Sequence, residues 1–541
     1  MKNVLQTAQA WANQDPDKET KQELQNLIDA NNTDELEKRF AGRLQFGTAG
    51  LRGPLQAGPM GMNRVLVAQA AAGLARFLLS RDKNPTVVIG YDGRKNSHRF
   101  AQDTAEIMQA AGVAAQLMPD LRPTPVLAFA VRQLKASAGV MVTASHNPPQ
   151  DNGYKVYLGG EDDGAQIVPP NDKKIAEQIA WVAANVDVSE LPRSRAYGVI
   201  DNSIIEAYIN KTAALRQAPV SSIKYVYTAM HGVGKETLLA TLAKAGLPAP
   251  ILVDQQCEPD GSFPTVSFPN PEEAGALDLA IAKAEAHRAD FILANDPDAD
   301  RLAVAVPNDK GEWATLHGNE VGLYLAWHIA KRAKAEGKQG VLACSLVSSP
   351  ALAAVAASCG LQHQETLTGF KWIGRIDNLL FGYEEALGYL TDPDKVHDKD
   401  GISAIVSFLD LINSLTAEGQ TFAGYRQAFS ETFGAFASDQ LSIRVEDLGR
   451  IGRILAAVRQ KPFSDIGGLA VSEYIDHLQT EKNDNILVFY CDGGHRVIFR
   501  PSGTEPKLKI YLDTKGSSLQ AAQNSGAQLK QALSDFIDTV V

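Results

Sequence analysis

The sequence predicts an α/β protein of four domains around a central cleft, three of similar mixed α/β topology and a C-terminal α+β domain. A length of 541 residues is several times that of one ordinary domain. Short apolar runs alternate with helical patterns along most of the chain, as they do in parallel α/β sheets. After about residue 435, strand patterns follow one another closely, which is typical of antiparallel pairing.

Composition restricts the class of protein further. The chain is 45% hydrophobic and 21% charged, as a globular protein is, and its net charge of −11 argues against a nucleic-acid partner. The four cysteines show no metal-ligand spacing, which predicts buried thiols in a reducing compartment. The N-terminus lacks the apolar core of a signal peptide, and the apolar stretch at 65–79 is too short to cross a bilayer. We therefore expect a cytoplasmic protein with no membrane segment.

The first predicted domain covers residues 1–205. Residues 1–42 are polar and helix-prone, and we interpret them as an amphipathic lead-in. A strand at Thr86–Tyr91, a helix at 100–111 and a strand at Ala138–Val142 follow. The polar, proline-containing stretch at 191–195 indicates a linker.

Three further domains are predicted at 206–316, 317–435 and 436–541. The second contains predicted strands at 224–228 and 290–294 and a helix at 277–287. In the third domain, the pattern indicates a helix at 320–336 and strands at 340–345 and 378–381. The fourth has strand patterns at 441–444, 485–490, 495–499 and 508–512 and a final helix at 518–537.

The motif at residues 143–148, Thr-Ala-Ser-His-Asn-Pro, directly follows the predicted strand Ala138–Val142. It places Ser145 and His146 at a strand end, inside a turn formed by asparagine and proline. Ligands of α/β sheets bind at the carboxyl ends of the strands. Ser145 is therefore a candidate nucleophile.

A second motif, at residues 296–301, places Asp296, Asp298 and Asp300 at alternate positions after an apolar strand. Three hard oxygen ligands on a short loop suit Mg²⁺, and a cation would relieve the repulsion between the carboxylates. An EF-hand loop is excluded, because Arg301 stands where that loop needs glycine and Pro307 where it needs glutamate. A solvated acidic turn is the structural alternative.

A third motif, at residues 499–507, packs polar groups between two predicted strands. Its candidate phosphate-binding residues are Arg500, Ser502, Gly503 and Thr504. Phosphate oxygens can bind to the guanidinium fork of the arginine, to the two hydroxyls and to the backbone amides around the glycine. The structural alternative is a polar hairpin loop.

Three weaker motifs complete the set. The glycine-rich loop at 46–53 ends near Arg52 and lacks the lysine of a phosphate-binding P-loop. The segment 382–388 carries Glu384, a suitable acceptor for sugar hydroxyls, although a glutamate in a loop is often only solvated. The segment 395–401 has mixed charge and opens a helix, which a capping segment would also do.

Each motif is predicted to lie in a loop after a strand, so one cleft lined by all four domains is the simplest joint account. A serine, a Mg²⁺ site and a phosphate site together predict phosphoryl transfer through serine. A Mg²⁺-dependent sugar phosphatase with Asp296 as nucleophile is an alternative, but Asp300 stands where that class has threonine or valine. A non-catalytic sugar-phosphate-binding protein would not need the serine and metal motifs together.

Four of these motifs, in their order along the chain, resemble those of the α-D-phosphohexomutase superfamily, which contains phosphoglucomutase and phosphomannomutase. The resemblance spans essentially the whole chain. Residues 46–62, 369–372 and 383–386 are most similar to the subgroup of phosphoglucomutase-2-type enzymes and phosphopentomutases. The resemblance implies an intramolecular phosphotransferase that interconverts glucose 1-phosphate and glucose 6-phosphate through a phosphoserine. The implied cofactors are Mg²⁺ and glucose 1,6-bisphosphate, an activator and intermediate, and the implied partners are small sugar phosphates.

The resemblance also implies roles for single residues. Ser145 would carry the phosphoryl group and, with the three aspartates, bind the metal. Residues implied near the transfer site are Arg52, His146, Lys155 and Lys399, and those implied at the substrate are Arg301, Thr368, Gly369, Glu384, Arg500, Ser502, Gly503 and Thr504. Ala386 stands where many glucose-specific relatives have serine, and loss of that hydroxyl removes a discriminating hydrogen bond. Phosphopentomutase and phosphomannomutase activities therefore stay open as alternatives.

Overall fold

The computed structural model describes residues 4–48, 50–308, 310–445, 447–501 and 507–540. The chain divides into two compact units. The first unit consists of the residues up to Leu316 together with Phe370–Asp377 and Leu387–Asn413. The second unit consists of His317–Gly369, Asn378–Ala386 and the residues from Ser414 onward.

The first unit begins with helices, as predicted for residues 1–42. These are α1 (Val4–Gln14), α2 (Lys18–Asp29) and α3 (Thr33–Phe40). The side chains of Asp17 and Asn32 cap the starts of α2 and α3 by accepting backbone N–H groups. Ala8, Leu24 and Leu36 are fully buried in the core of the first domain, so the helices present one apolar face to it.

The first sheet has the strand order β1-β5-β4-β2-β3-β7, with β6 beside β5. Strand β2 pairs in parallel with β3 and β4, whereas β5 runs antiparallel to β4. The reversal between β4 and β5 forms a loop at residues 143–150, called the serine loop below. The elements of this domain are β1 (Leu51–Pro54), α4 (Arg64–Arg81), β2 (Thr86–Tyr91), α5 (Ser97–Ala111), β3 (Ala114–Leu117), α6 (Thr124–Gln133), β4 (Ala138–Val142), β5 (Asp151–Leu158), β6 (Ala165–Gln166), α7 (Asn171–Asn185) and β7 (Gly198–Val199).

The second sheet, also in the first unit, has the order β12-β11-β10-β8-β9. Strand β10 pairs in parallel with β8 and antiparallel with β11. The connection between β10 and β11, residues 295–302, is called the metal loop below. The elements are α8 (Asn202–Ala213), β8 (Tyr225–Thr228), α9 (Gly234–Ala245), β9 (Ile251–Leu252), α10 (Asp278–His287), β10 (Phe291–Ala294), β11 (Ala303–Pro307) and β12 (Trp313–Thr315).

Strands β13, β14 and β15 of the third sheet lie in the second unit, where β13 pairs in parallel with both β14 and β15. Helices α11 and α15 pack in this unit through aromatic contacts centred on Tyr324 and Trp327 of α11. The elements of the second unit here are α11 (Gly318–Ala335), β13 (Val341–Ser345), α12 (Ala351–Cys359), β14 (Gln362–Thr366), β15 (Leu379–Glu384) and α15 (Phe422–Phe433). The same stretch of sequence also contains α13 (Phe370–Ile373), β16 (Gly388–Leu390) and α14 (Gly401–Ala417), which belong to the first unit up to Asn413.

The fourth sheet is antiparallel, in the order β17-β22-β21-β20-β19-β18. Ile454 of α16 and Leu529 of α17 are buried against it, which confirms the predicted C-terminal α+β domain. The elements are β17 (Ala435–Arg444), α16 (Leu448–Gln460), β18 (Asp465–Ile466), β19 (Leu469–Asp476), β20 (Leu487–Cys491), β21 (His495–Pro501), β22 (Lys507–Gly516) and α17 (Leu519–Thr539). Among the helices of the described ranges, none is both long and apolar enough to cross a membrane.

One motif lies differently from its prediction. The glycine-rich loop at 46–53 runs into β1 and does not follow a strand, so the expectation that every motif follows a strand is wrong here. Gly50 has a φ of +76°, and a Cβ on it would collide with the carbonyl of Tyr154. The loop is glycine-rich because it packs directly on the backbone of β5, and this packing places Arg52 opposite Gly153.

A buried ion pair fixes the segment 395–401 to the start of α14. Lys395 Nζ lies 2.9 Å from Asp400 Oδ2, and the two side chains are 1% and 0% exposed. Asp400 also accepts the N–H of Ser403, so the capping role that the sequence left open is present together with the ion pair. Burial acts to raise the pKa of Asp400, but the charge of Lys395 outweighs it and lowers that pKa.

Lys395→Met is expected to destabilise the protein by about 3–5 kcal/mol, because it leaves Asp400 buried without its countercharge. Urea unfolding at neutral pH, followed by circular dichroism, measures this loss. The wild-type pair contributes fully above the unfolded pKa of an aspartate, roughly 3.9, and this contribution is lost as the pH falls below that value. The matched control is Lys530→Met, which breaks an exposed pair with Asp439 and should cost at most about 1 kcal/mol. Equal losses in the two variants would contradict the prediction.

Candidate active site

Ser145 lies in the serine loop, three residues after β4 ends. Its φ is +51°, in the left-handed region that residues other than glycine seldom adopt, and it is 2% exposed. Its N–H donates to Thr143 Oγ1 over 2.9 Å. A strained, buried serine at a strand end is a feature often found at functional sites.

The serine hydroxyl joins two of the predicted motifs. Ser145 Oγ donates to Asp296 Oδ2 at 2.8 Å, although the two residues are 151 positions apart in the sequence. The same oxygen lies 3.1 Å from His146 Nδ1. The structure therefore brings the predicted nucleophile, its neighbouring histidine and the first predicted metal ligand into direct contact.

The metal loop gathers three carboxylates that are all fully buried. Oxygens of Asp296, Asp298 and Asp300 lie within 4.8 Å of one another. Asp298 Oδ1 and Asp300 Oδ1 have no hydrogen-bond partner among the described residues. Buried acceptors seldom stay unpaired, and a set of close carboxylate oxygens is what Mg²⁺ binds. These residues therefore fit a divalent cation.

Local packing holds the metal loop in this conformation. Asp296 Oδ1 accepts the N–H of Arg301 at 3.0 Å, and Ala299 has a φ of +55°. Gly232, in the loop after β8, lies so close to Pro297 that a Cβ would collide with its backbone. A substitution at Gly232 would therefore displace the metal loop.

Two lysines neutralise part of the carboxylate charge. Lys155 Nζ lies 2.7 Å from Asp298 Oδ2 and 2.9 Å from Asp300 Oδ2. Lys399 Nζ lies 2.8 Å from Asp300 Oδ2. Burial opposes the ionisation of both Asp298 and Lys155, but their mutual attraction outweighs it, so the pKa of Asp298 is lowered and that of Lys155 is raised. Lys155 is a cation here.

His146, unlike Lys155, carries no charge. Burial is the main cause that lowers the pKa of His146 well below its usual value, and the charges of Arg301 and Arg52 lower it further. Its imidazole is therefore neutral near pH 7. The resemblance implied both Lys155 and His146 near the transfer site; of the two, Lys155 is charged, whereas His146 is neutral and its Nδ1 lies 3.1 Å from Ser145 Oγ.

The two predicted arginines of the first unit border the same loops. Arg52, in β1, donates from Nη1 to Asn147 Oδ1 of the serine loop at 3.0 Å. Arg301 Nε lies 3.9 Å from carboxylate oxygens of both Asp296 and Asp300. The site thus combines buried carboxylates with cations that can bind an anion such as phosphate.

Sequence reasoning missed Thr124, the first residue of α6. Its Oγ1 donates to Asp298 Oδ2 at 2.6 Å, and its N–H donates to the Asp298 carbonyl at 2.9 Å. Thr124 therefore fixes which oxygen of Asp298 stays unpaired. The Thr-Pro pair at 124–125 signals a helix start, but nothing in the local sequence indicates a contact with an aspartate 174 positions away.

Asp398 was also missed, although it adjoins the predicted Lys399. It accepts hydrogen bonds from the hydroxyl of Tyr157 at 2.8 Å and from the N–H of Lys399 at 2.9 Å. Its carboxylate lies 3.7 Å from Lys399 Nζ. Lys399 is therefore held between Asp398 and Asp300.

The predicted sugar-binding residues lie in the second unit. Glu384 is the last residue of β15, and its Oε1 accepts the N–H of Gly369 at 2.6 Å. Thr368 adjoins Gly369, so the three predicted residues are grouped at one strand end. The neighbouring Glu385 accepts hydrogen bonds from Ser345 and Ser348 at 3.2 and 3.4 Å.

Arg500 lies in β21, opposite Lys509 of β22. Burial acts to lower its pKa, but Tyr511 and the charges of Glu385 and Glu384 outweigh that effect and raise the pKa. Arg500 is therefore in the electrostatic field of the predicted sugar-binding segment. Ser502, Gly503 and Thr504 lie outside the described residues.

A second group of metal-type donors lies on β13 and β14 of the second unit, formed by Cys344, His363 and Glu365. Cys344 Sγ lies 3.8 Å from His363 Nε2, a thiol–imidazole hydrogen bond. Glu365 lies 3.5 Å from the guanidinium of Arg496, and this charge disfavours a second cation. The group is better explained as a structural contact.

The chain is similar to one family of known proteins over most of its length. The chain matches three parts of one family, namely phosphoglucomutase/phosphomannomutase alpha/beta/alpha domain I over residues 43–185, domain II over 206–311 and domain III over 317–432. These segments contain the serine loop, the metal loop and the segment with Glu384 respectively. Members of this superfamily are Mg²⁺-dependent and use sugar bisphosphate intermediates.

Relatives match over nearly their full length. A probable phosphomannomutase of Haemophilus influenzae is 58% identical over 88% of this chain and 97% of its own. The phosphopentomutase of Mus musculus is 36% identical over 94% of this chain and 89% of its own. A crystal structure of a putative phosphomannomutase from Thermus thermophilus shares the fold, with a TM-score of 0.71 at 24% identity over 91% of this chain and 99% of that one. The chain therefore belongs to the phosphoglucomutase/phosphomannomutase family of the α-D-phosphohexomutase superfamily, whose members are intramolecular phosphotransferases.

Proposed function

We propose that the protein is a phosphoglucomutase, which interconverts glucose 1-phosphate and glucose 6-phosphate through a phosphoserine at Ser145 and glucose 1,6-bisphosphate. The observation that carries this proposal is the 2.8 Å contact between Ser145 Oγ and Asp296 Oδ2. This contact supports the proposal, because the serine hydroxyl lies beside buried carboxylates that fit Mg²⁺. Phosphoryl transfer depends mainly on this kind of positioning and charge neutralisation.

In the first half-reaction, a hydroxyl oxygen of the bound sugar monophosphate attacks the phosphorus on Ser145 and loses its proton. The bond from phosphorus to Ser145 Oγ breaks as the new bond to the sugar oxygen forms, and the serine oxygen takes up a proton, so the products are the bisphosphate and the free serine. The bisphosphate then reorients in the site, so that its two phosphates exchange places. Ser145 Oγ attacks the other phosphate, and the isomeric monophosphate leaves. Mg²⁺ bound by Asp296, Asp298 and Asp300 would neutralise charge on the transferred group.

His146 is the residue that we propose for proton transfer. Its neutral imidazole lies 3.1 Å from Ser145 Oγ and can take the hydroxyl proton when the serine attacks the bisphosphate. In the first half-reaction it would take the proton of the attacking sugar hydroxyl and pass it to Ser145 Oγ as that oxygen leaves the phosphorus. Lys155, which is held as a cation by Asp298 and Asp300, would instead bind the transferring phosphoryl group, together with Arg52, Lys399 and Arg301.

The substrate-binding residues of the second unit are part of the same proposal. Glu384, with the backbone of Thr368 and Gly369, would accept and orient sugar hydroxyls. The phosphate that does not react would bind at Arg500, Ser502, Gly503 and Thr504.

A phosphopentomutase is the second candidate, and two observations favour it. Ala386 lacks the hydroxyl that many glucose-specific relatives use, and the mouse relative is a phosphopentomutase. The name of the Haemophilus relative adds mannose phosphates as a third possible substrate. These alternatives differ in the sugar and share the phosphoserine chemistry.

Side-by-side kcat/KM values for glucose 1-phosphate, ribose 1-phosphate and mannose 1-phosphate test the proposal. Each assay contains Mg²⁺ and a trace of the matching bisphosphate. We expect glucose 1-phosphate to have the highest kcat/KM. A higher value for ribose 1-phosphate would overturn the glucose assignment and favour the pentomutase. No isomerisation of any of the three, with release of inorganic phosphate, would favour a Mg²⁺-dependent sugar phosphatase.

We also propose a cytoplasmic location and four domains, with the limits 1–205, 206–316, 317–435 and 436–541. The four cysteines are all buried free thiols, which is what a reducing compartment favours.

A further inference from the structure

Arg94, in the turn after β2, contacts the serine loop through backbone carbonyls. Its Nη2 donates to the carbonyls of Ser145 at 2.6 Å and Asn147 at 2.5 Å. Its Nη1 donates to the carbonyls of Pro148 at 2.8 Å and Asp151 at 3.1 Å. One guanidinium thus binds four carbonyls within seven consecutive residues, beginning at the serine itself.

The guanidinium is held in place from its other side. Its Nε lies 3.5 Å from Asp92 Oδ2, and both side chains are 1% exposed. Asp92 is fixed in turn, because its Oδ1 accepts the N–H of Arg94 at 3.0 Å and the hydroxyl of Ser97 at 2.6 Å. The guanidinium carbon also lies 4.9 Å from the ring centre of Phe263.

This arrangement can stabilise the strained backbone of the serine loop. The left-handed backbone of Ser145 is strained and persists only where the surroundings hold it. Three charge-assisted hydrogen bonds to the loop and a fourth to Asp151, where β5 begins, can supply that restraint, since each is stronger than a neutral hydrogen bond. Arg94 itself has no contact with Ser145 Oγ among those that the structure describes, so it acts through the backbone.

We propose that Arg94 is a positioning residue that holds the serine loop, and with it Ser145 Oγ, in the conformation that transfers phosphate. This proposal rests on the assignment of Ser145 as the phosphate carrier. The planar fork of the guanidinium is the essential feature, and its charge alone does not suffice. A lysine at this position would keep the charge but could not reach four carbonyls in these directions.

Arg94→Lys is the main test, with Arg132→Lys as its matched control. Arg132 also donates to two backbone carbonyls, those of Pro393 and Asp394, and pairs with an aspartate, Asp163, but it does not contact the serine loop. We expect Arg94→Lys to lower kcat about 100-fold with KM changed less than twofold, because misplacement of a reacting atom costs about this much. Arg132→Lys should leave both constants within twofold of wild type.

Hydrogen exchange provides a readout that does not depend on activity. In Arg94→Lys, peptides that cover 143–151 should exchange about tenfold faster or more, while the sheet peptides at Thr86–Tyr91 keep their protection. Since Arg94→Met would leave Asp92 buried and unpaired, the double variant Arg94→Met, Asp92→Asn serves as the second test, with the same expected effect on exchange. Wild-type exchange of 143–151 in both variants, or wild-type kcat in Arg94→Lys, would overturn the proposal.

Failure of this proposal and failure of the proposed function are distinguishable. If wild-type Ser145 takes up no phosphate from glucose 1,6-bisphosphate in intact-mass measurements, the assignment of the serine is wrong whatever Arg94 does. If the wild type is phosphorylated and Arg94→Lys is phosphorylated at the same rate, the serine assignment stands and the role of Arg94 is wrong.

Discussion

Ser145→Ala is expected to abolish phosphate uptake and to lower mutase turnover by about four orders of magnitude or more, as loss of a catalytic nucleophile does in other enzymes. The hydroxyl is the group that bonds to phosphorus, and the adjoining His146 and Asp296 cannot replace it in that bond. Intact-mass measurement after incubation with glucose 1,6-bisphosphate detects the phosphoenzyme. A coupled assay that follows glucose 6-phosphate measures the turnover.

Ser80→Ala is the control, because Ser80 is an exposed serine of α4 whose hydroxyl donates to the carbonyl of Phe77 in the same helix. It should keep wild-type turnover and phosphate uptake. The chemical stability of the phosphoenzyme provides a further check, since phosphoserine survives acid and an aspartyl phosphate is labile to base. If Ser145→Ala still formed a base-labile phosphoenzyme, Asp296 would be the nucleophile and the phosphatase interpretation would replace the mutase.

Much of the fold could be predicted because it is encoded locally. The strands Thr86–Tyr91 and Ala138–Val142 have the predicted bounds, since each is a short apolar run closed by turn residues at both ends. Ser145 and the aspartates at 296, 298 and 300 could be singled out for the same reason. Their chemistry is concentrated in a few consecutive residues directly after a buried strand.

The remaining features depend on contacts between distant parts of the chain. Thr124 and Arg94 belong to the site only because α6 and the turn after β2 lie beside the metal loop and the serine loop. The ranking of His146 over Lys155 comes from burial and from neighbouring charges, which periodicity does not encode. The placement of Arg52 required the pairing of β1 with β5, and no strand was predicted at either position.

Asp298→Asn is expected to weaken binding of Mn²⁺, a spectroscopic substitute for Mg²⁺, by about 100-fold or more, and to lower kcat about 1,000-fold. Asp298 supplies one of the two buried carboxylate oxygens of the metal loop that have no hydrogen-bond partner among the described residues. The amide would keep its size but lose the charge that holds the cation. Electron paramagnetic resonance of free Mn²⁺ measures the affinity without any substrate, and kcat is measured at saturating Mg²⁺.

Thr124→Val and Thr124→Ser separate the orientation of Asp298 from its charge. Thr124→Val keeps the carboxylate but removes the 2.6 Å hydrogen bond that orients it, so Mn²⁺ affinity should fall about 10-fold while saturating Mg²⁺ restores much of kcat. Thr124→Ser retains the hydroxyl and should bind Mn²⁺ as the wild type does.

Wild-type Mn²⁺ affinity in Asp298→Asn would show that the cation does not bind at the metal loop. In that case the buried carboxylates would serve only as partners for Lys155 and Lys399, and the charge on the moving phosphoryl group would have to be neutralised by lysine and arginine alone.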